Sequence, residues 1–461
     1  MNIKQNNEHF LSLREKYPVF SYDNFDYQRK DRDLIVSFRF SIGDSIVFTP
    51  QSRIKYHPDF EAFFANNSFN FLDDFVFSIG MIELISYWKC CCCPLIEIKI
   101  ENLSENAISF WKKIYYHGLG EFFYCNSIET TMDEFVTIIS SGKKKEKTKA
   151  FLNLSDETIV PVGGGKDSVV TLEILGKHEK VTPMIINPRG ATLDTIKIGG
   201  FENDFFEIQR SIDPLLLELN EQGFLNGHTP FSAMLAFYSL LIGVLSGKKN
   251  IALSNESSAN ESTVIGLNVN HQYSKSYEFE ADFRNYVKTF LCEELNYYSF
   301  LRPLNELQIA CLFSKMPQYL PVFKSCNAGS KTNSWCCNCP KCLFTFIILS
   351  PFVSAEKLTK TYGENLFEKK ELLSVLKELC GMTPEKPFEC VGTVDEVCIA
   401  LVQTVKKYEN LPFLLQFFVE NPLYKHYEDV DFKTQLQHLE TEHFLEEKEM
   451  DLLKRCLMRI S

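Results

Sequence analysis

Residues 158–176 read TIVPVGGGKDSVVTLEILG, and their reading decides the fold. A β-branched apolar run ends at Val162 and meets Gly163, Gly164 and Gly165. Lys166, Asp167 and Ser168 follow, and apolar residues then return at helical spacing. Strand, glycine turn and helix in that order suit an anion: glycine lets backbone N–H groups come close, and a helix N-terminus favours negative charge. Two phosphate-loop patterns fail here. A Walker loop needs Ser or Thr after its lysine, whereas Asp167 follows Lys166 and the leading glycine is missing. The dinucleotide pattern G-x-G-x-x-G fits Gly163 and Gly165 but meets Ser168 where its third glycine belongs. The bland alternative is a tight strand-to-helix turn, with Asp167 and Ser168 capping the helix.

Outward from this loop the pattern repeats. ETIVPV precedes DSVVTLEILGK; VTPMIIN follows; DFFEIQR precedes DPLLLELNEQ; and TPFSAMLAFYSLLIGVL precedes NIALSN. Short apolar strands alternating with helices predict an α/β core, a parallel sheet with helices on both faces. Ligands of such sheets bind at the carboxyl ends of the strands, so GGGKDS and SNESSANES should share one edge. Before the loop, LIVSFRFSIGDSIVFTP has hairpin spacing and FSIGMIELISYWK reads as helix. Ser140–Glu157, SSGKKKEKTKAFLNLSDE, is polar and basic and reads as a linker or exposed edge. The expected units are an α+β N-terminal domain over 1–150, the ligand-binding core over 151–350, and a mostly helical region over 351–461 for packing or substrate capping.

Composition narrows the partners. With 461 residues, two or three domains are expected. The charge is 48 minus 60, or -12, with no long basic block to offset it, which argues against a general nucleic-acid binder and leaves room for a small anion in a local pocket. The first twenty residues lack an apolar core flanked by basic residues, so no secretory signal is expected. Pro230–Gly247 carries no charge, but its Ser, Tyr and Gly residues suit a buried helix better than a membrane span. Sixteen cysteines then point to reduced thiols or metal ligands in the cytoplasm.

Four of those cysteines have metal spacing. Cys326, Cys336, Cys339 and Cys342 stand at C-x9-C-x2-C-x2-C, and each C-x-x-C turn can aim two sulfurs at one point. Such a closed four-sulfur Zn²⁺ site would be structural. Cys337 is the spare, or an alternative to Cys336. Cys90–Cys93 are adjacent and cannot all point one way, so they read as small apolar filling.

The loop GGGKDS resembles the PP-loop, usually S-G-G-x-D-S, of the N-type ATP pyrophosphatases. The cysteine set resembles the zinc knuckle of 7-cyano-7-deazaguanine synthases, which belong to the same superfamily. In order along the chain, MIELISYWKCCCCP, GLGEFFYCN, VPVGGGKDSVVTLE, LSNESSANES, HQYSKSYEFE, CCNCPKCLF and KPFECVGTVDEV look like successive blocks of the UDP-N-acetylmuramoyl-L-alanyl-L-glutamate epimerases. That resemblance covers about residues 80 to 400 and implies ATP with Mg²⁺, cleaved to AMP and pyrophosphate, and a UDP-linked muramoyl dipeptide as substrate. It implies nucleotide binding by Gly163, Gly164, Gly165, Lys166, Asp167, Ser168 and Asn187, with Asp167 and Lys166 also catalytic. Gly163 departs from the pattern, since the usual serine would add a hydroxyl donor.

For proton transfer at the glutamate α-carbon the candidates are Cys390, in KPFECVGT, and Glu256. Cys390 is equally readable as a buried cysteine on a strand, and Glu256 and Glu261 as metal ligands, a base, or loop residues. His228 precedes a helix and could touch an anion. Tyr273, Lys275 and Lys248 are conceivable phosphate contacts, although scattered lysines usually lie at the surface. Rival readings are a deazapurine synthase, an amide ligase, a tRNA-thiolating enzyme, or a nucleotide sensor without catalysis. The oligomeric state is left open.

Overall fold

The computed structural model describes residues 3–143, 152–264 and 269–459. The basic centre of the Ser140–Glu157 stretch therefore lies outside the described residues. Among the described residues, eleven strands form one sheet: β1 (Val19–Lys30), β2 (Asp33–Ile42), β3 (Ile46–Phe48), β4 (Gln51–Ile54), β5 (Leu95–Ile98), β6 (Thr137–Ser140), β7 (Ser155–Pro161), β8 (Val181–Ile186), β9 (Phe206–Arg210), β10 (Lys248–Leu253) and β11 (Asn296–Ser299). Their spatial order is β11-β10-β7-β8-β9-β4-β2-β1-β5-β6, with β3 beside β2. From β11 to β9 all pairings are parallel. The hairpin strands β1, β2 and β4 are antiparallel, and β5 and β6 add parallel strands at the far edge. Strands from both sides of residue 150 thus belong to one mixed, mostly parallel sheet. The seam is antiparallel, with Ser52, Arg53 and Ile54 opposite Arg210, Gln209 and Ile208.

The burial patterns follow from position. β2 alternates, Val36, Phe38 and Phe40 being buried between less buried neighbours, as in a strand with one face on the core. In β8 both faces are covered by helices, and Val181–Ile185 are all buried. Helices Asp73–Trp88 and Phe231–Ser246 are apolar nearly all round and sit inside the first of two hydrophobic cores. Gly80 permits the first of these to lie against Tyr22, where any Cβ would collide with the phenol ring. Helix Phe231–Ser246 ends at Gly247 in the left-handed conformation, φ +67°. No helix among the described residues is long and apolar enough to cross a membrane. The second core gathers helices Lys166–Leu175, Glu306–Ser314, Pro340–Leu349 and Val394–Val405. The region after Ser350 is helical and packs into this core.

A buried bidentate pair clamps the seam. Arg210, at the end of β9, donates to both oxygens of Glu83 at 2.8 and 2.7 Å, on the helix beneath β1 and β2. Charge-assisted fork geometry of this kind fixes orientation as well as distance.

Candidate functional site

From β7 the chain steps to β8 and β9 on one side, then returns to place β10 on the other side of β7. The strand order reverses between β7 and β10, and parallel sheets open a crevice at the carboxyl ends of such strands. A cleft of about 520 Å³ lies there, lined by residues following β7, β8 and β10.

The glycine loop forms its floor. Gly164 has φ +82°, and a Cβ there would stand 3.0–3.1 Å from Ala191 and the Thr192 nitrogen. A side chain would be strained and crowded at once. Helix Lys166–Leu175 is capped by Gly165 and so begins two residues before Ser168, where the sequence pattern put it. Lys166 is 2% exposed, and its ammonium donates to the carboxylates of Asp167 and Glu306. Burial opposes that charge, but the two carboxylates outweigh it and raise the lysine above its ordinary range. Asn187 follows β8 at φ +52°, a conformation asparagine tolerates. Its Oδ1 accepts from the Arg210 N–H at 2.7 Å, so its side chain ties β8 to β9 at the cleft margin.

The wall after β10 carries Ser254, Asn255 and Glu256. Ser254 Oγ has no partner among the described residues, which leaves it free for a ligand. Behind this wall Arg302, 1% exposed, donates to the backbone oxygens of Glu256 (2.7 Å) and Lys275 and to Glu280 (3.1 Å). It holds both segments in place. Burial raises the Glu256 carboxyl, with Lys275 pulling the other way.

Cys390 enters from the region after Ser350. It sits in a loop rather than on a strand, partly buried. That loop is pinned by Gln272 Nε2 to the Val391 carbonyl (3.3 Å), Lys386 Nζ to the Gly392 carbonyl (2.8 Å), and Asn327 Nδ2 to Glu389 (2.8 Å). Helix Val394–Val405 begins just beyond with a capping box of Thr393 and Glu396. Burial works against a thiolate at Cys390. Lys275, Lys341 and the His271 imidazole together prevail and hold the thiol well below its usual range. A region expected to pack or cap therefore also supplies a thiol to the cleft.

The cysteines at 326, 336, 339 and 342 converge. Their sulfurs all lie within 4.8 Å of one another, with Sγ–Sγ distances of 3.9 Å (326–339), 3.7 Å (336–342) and 3.4 Å (339–342). Four sulfurs about 2.3 Å from one Zn²⁺ stand about 3.8 Å apart, so the set could hold such an ion. The N–H groups of Gly329 and Cys336 point at the Cys326 sulfur, at 3.1 and 3.4 Å. Cys337 turns away at φ +56° toward the Tyr362 carbonyl and is the spare. The knuckle carries Lys324, Ser325, Asn327 and Lys341 onto the cleft. Cys90–Cys93 are wholly buried in the first core.

Of the remaining candidates, Lys275 lines the cleft, half-buried rather than exposed. Lys248 is buried, but at the opposite end of β10, between Glu157 and Asp59. Glu261 pairs with Lys386, and Tyr273 packs on the His117 ring, both away from the cleft lining. His228 stands beside His271 and Glu121. Sequence reasoning passed over Arg189, Lys324, Lys341, Glu306, Glu121 and His271. Only the blocks GLGEFFYCN and HQYSKSYEFE carried a signal for the last two.

Charge distinguishes the cleft from the rest of this acidic chain. Lys166, Arg189, Lys275, Lys324 and Lys341 line it against Asp167, Glu256 and Glu306. Among the described residues, only Lys166 of these cations has a carboxylate in ion-pair contact. Such a lining favours a ligand with several negative charges.

Comparison with known proteins gives two family matches, the MurL N-terminal domain over residues 12–300 and the MurL C-terminal domain over 322–422. Three relatives, each carrying the name UDP-N-acetyl-alpha-D-muramoyl-L-alanyl-L-glutamate epimerase, are 33% identical. The protein from Xanthomonas oryzae pv. oryzae aligns over 339 residues, 72% of this chain and 74% of its own length. Those from Salinispora tropica and Micromonospora sp. align over 330 residues, 70% of this chain and 71% and 73% of theirs. No solved structure matches.

Proposed function

The chain belongs to the MurL family of epimerases, and from that premise we propose that it inverts the glutamate α-carbon of UDP-N-acetylmuramoyl-L-alanyl-L-glutamate at the expense of ATP. The observation that carries the reading is that the glycine loop and Cys390 line one cation-rich cleft. A polyphosphate chain suits the loop, the helix N-terminus and the unpaired cations. Asp167 is the carboxylate available to the Mg²⁺ that accompanies the nucleotide. The loop's likeness to a PP-loop supports cleavage between the α- and β-phosphates.

The chemistry follows from charge. Removing the α-proton beside a free carboxylate builds a second negative charge next to the first. If a carboxylate oxygen attacks the α-phosphorus and pyrophosphate leaves, the first charge is cancelled and the carbonyl can accept electrons. Cys390, held toward the thiolate, takes the α-proton. Glu256, held toward the protonated form, returns one. Neighbouring groups whose environments push their acidities apart are suited to base and acid roles. Water then cleaves the acyl–phosphate bond, releasing AMP and the D-configured product. The four-cysteine knuckle would hold Zn²⁺ and keep the Lys324 and Lys341 segments in place. Such a reaction serves peptidoglycan precursor synthesis in the cytoplasm.

The test is incubation with Mg·ATP and the UDP-linked L-glutamyl dipeptide in deuterated water. AMP, pyrophosphate, and deuterium at the α-carbon of a D-glutamyl product are expected. Inversion with ATP left intact would overturn the adenylation step. No inversion, with ATP still bound, would overturn the substrate assignment.

A further inference from the structure

Three segments distant in the chain meet at the cleft edge. Glu121 comes from helix Gly120–Cys125, His271 from the loop before the turn Tyr273–Lys275, and Cys390 from the loop before helix Val394–Val405. Glu121 Oε2 lies 2.5 Å from His271 Nδ1, and the next residue, Gln272, donates from Nε2 to the Val391 carbonyl at 3.3 Å, which brings the imidazole beside the Cys390 loop. With Nδ1 committed to the carboxylate, Nε2 is the nitrogen left for sulfur. Carboxylate, imidazole and thiol then stand in the order that activates a thiol.

We propose that Glu121 and His271 are positioning residues that hold the Cys390 sulfur as a thiolate facing the cleft. The S–H bond breaks and the proton passes to the imidazole, whose other N–H is fixed by Glu121. The use of that thiolate as a base rests on the reading above; its ionisation does not.

The surroundings favour this transfer. Lys275 and Lys341 share the cleft lining with Cys390, and their two ammonium charges favour the thiolate. Glu256 and Glu389 are the carboxylates facing Cys390, and burial pushes both toward their neutral forms. Burial opposes the His271 charge, but hydrogen bonds to Cys390 and Glu121 lift it to about 9. The His228 ring, 4.5 Å away, is pushed down to about 4 by burial and by His271. Of two adjacent imidazoles, one is thereby charged near neutrality and the other is not.

Alkylation of the intact protein by iodoacetamide tests the proposal, with mass spectrometry following the peptide that contains Cys390 from pH 5.5 to 9.5. N-acetylcysteine alkylated in parallel serves as the standard. An ordinary thiol, with a pKa of about 8.5, loses reactivity roughly tenfold per pH unit below that value. Cys390 should instead stay reactive below pH 7. His271→Asn should shift the midpoint of its profile upward by about one unit, and Glu121→Gln by about half a unit. A wild-type Cys390 that titrates like N-acetylcysteine would overturn the proposal without any variant. So would profiles of both variants that match the wild type. Neither ATP nor peptide is present, so failure of the epimerase reading leaves this result intact. A thiolate that proved dispensable for α-deuterium exchange would count against that reading alone.

Discussion

The two walls of the cleft are built by opposite means. One is six consecutive residues, Gly163 to Ser168, shaped by backbone conformation and locked by a buried lysine between two carboxylates. The other is assembled from residues 256, 275 and 390, backed by 121 and 271, which meet only because helices and turns deliver them. A contiguous wall tolerates little change at any position, since its geometry is the loop itself. An assembled wall can lose one member and keep its shape, so its members can be removed singly to separate functions. The lesson is that binding and chemistry should fail independently here.

Substitutions can break or sharpen that contrast. The largest effect is expected at Lys166→Met, which leaves Asp167 and Glu306 without their cation. Unfolding free energy in urea should fall by about 3–5 kcal/mol, and adding Glu306→Gln should restore part of it. Asp167→Asn should lower AMP formation by about 10²–10³-fold, with α-deuterium exchange falling in step. Cys390→Ser should lower α-deuterium exchange by about 10²-fold while ATP still turns over to AMP. If both activities fall together in that variant, the walls are not separable. The smallest effect belongs to the knuckle's spare: Cys337→Ser should keep its bound metal and shift Tm by no more than about 2 °C. Cys336→Ser, by contrast, should lose the metal in elemental analysis.

The contiguous wall was legible in the sequence because its determinants are neighbours. Glycine, charge and the change from strand to helix spacing all fall within residues 158–176, and the parallel strands around them announced themselves by length and apolarity. The cysteine set was legible for the same reason, with spacing alone separating Cys326–Cys342 from the buried run Cys90–Cys93. The assembled wall was only half visible. Cys390 and Glu256 stood out as chemistry-bearing residues, but no one-dimensional pattern pairs position 121 with 271 or 390. Their meeting depends on local fits, such as Gly118 lying against Pro230, where a Cβ would come within 2.7 Å of the ring. Lysines deceived in another way. Lys248 and Lys275 look like surface charges until their partners are known. The seam between β4 and β9 left no trace in composition, because four alternating residues suit an edge strand as well as an inner one.

That seam has a consequence in time. On a ribosome, Gln51–Ile54 emerges about 150 residues ahead of its partner Phe206–Arg210, and at about 5–20 residues per second the wait is roughly ten to thirty seconds. Throughout it, one edge of the β1–β2–β4 hairpin set is an open template for any other nascent strand. The newborn chain must be shielded, or slow to associate, until Arg210 arrives to take Glu83 and shut that edge.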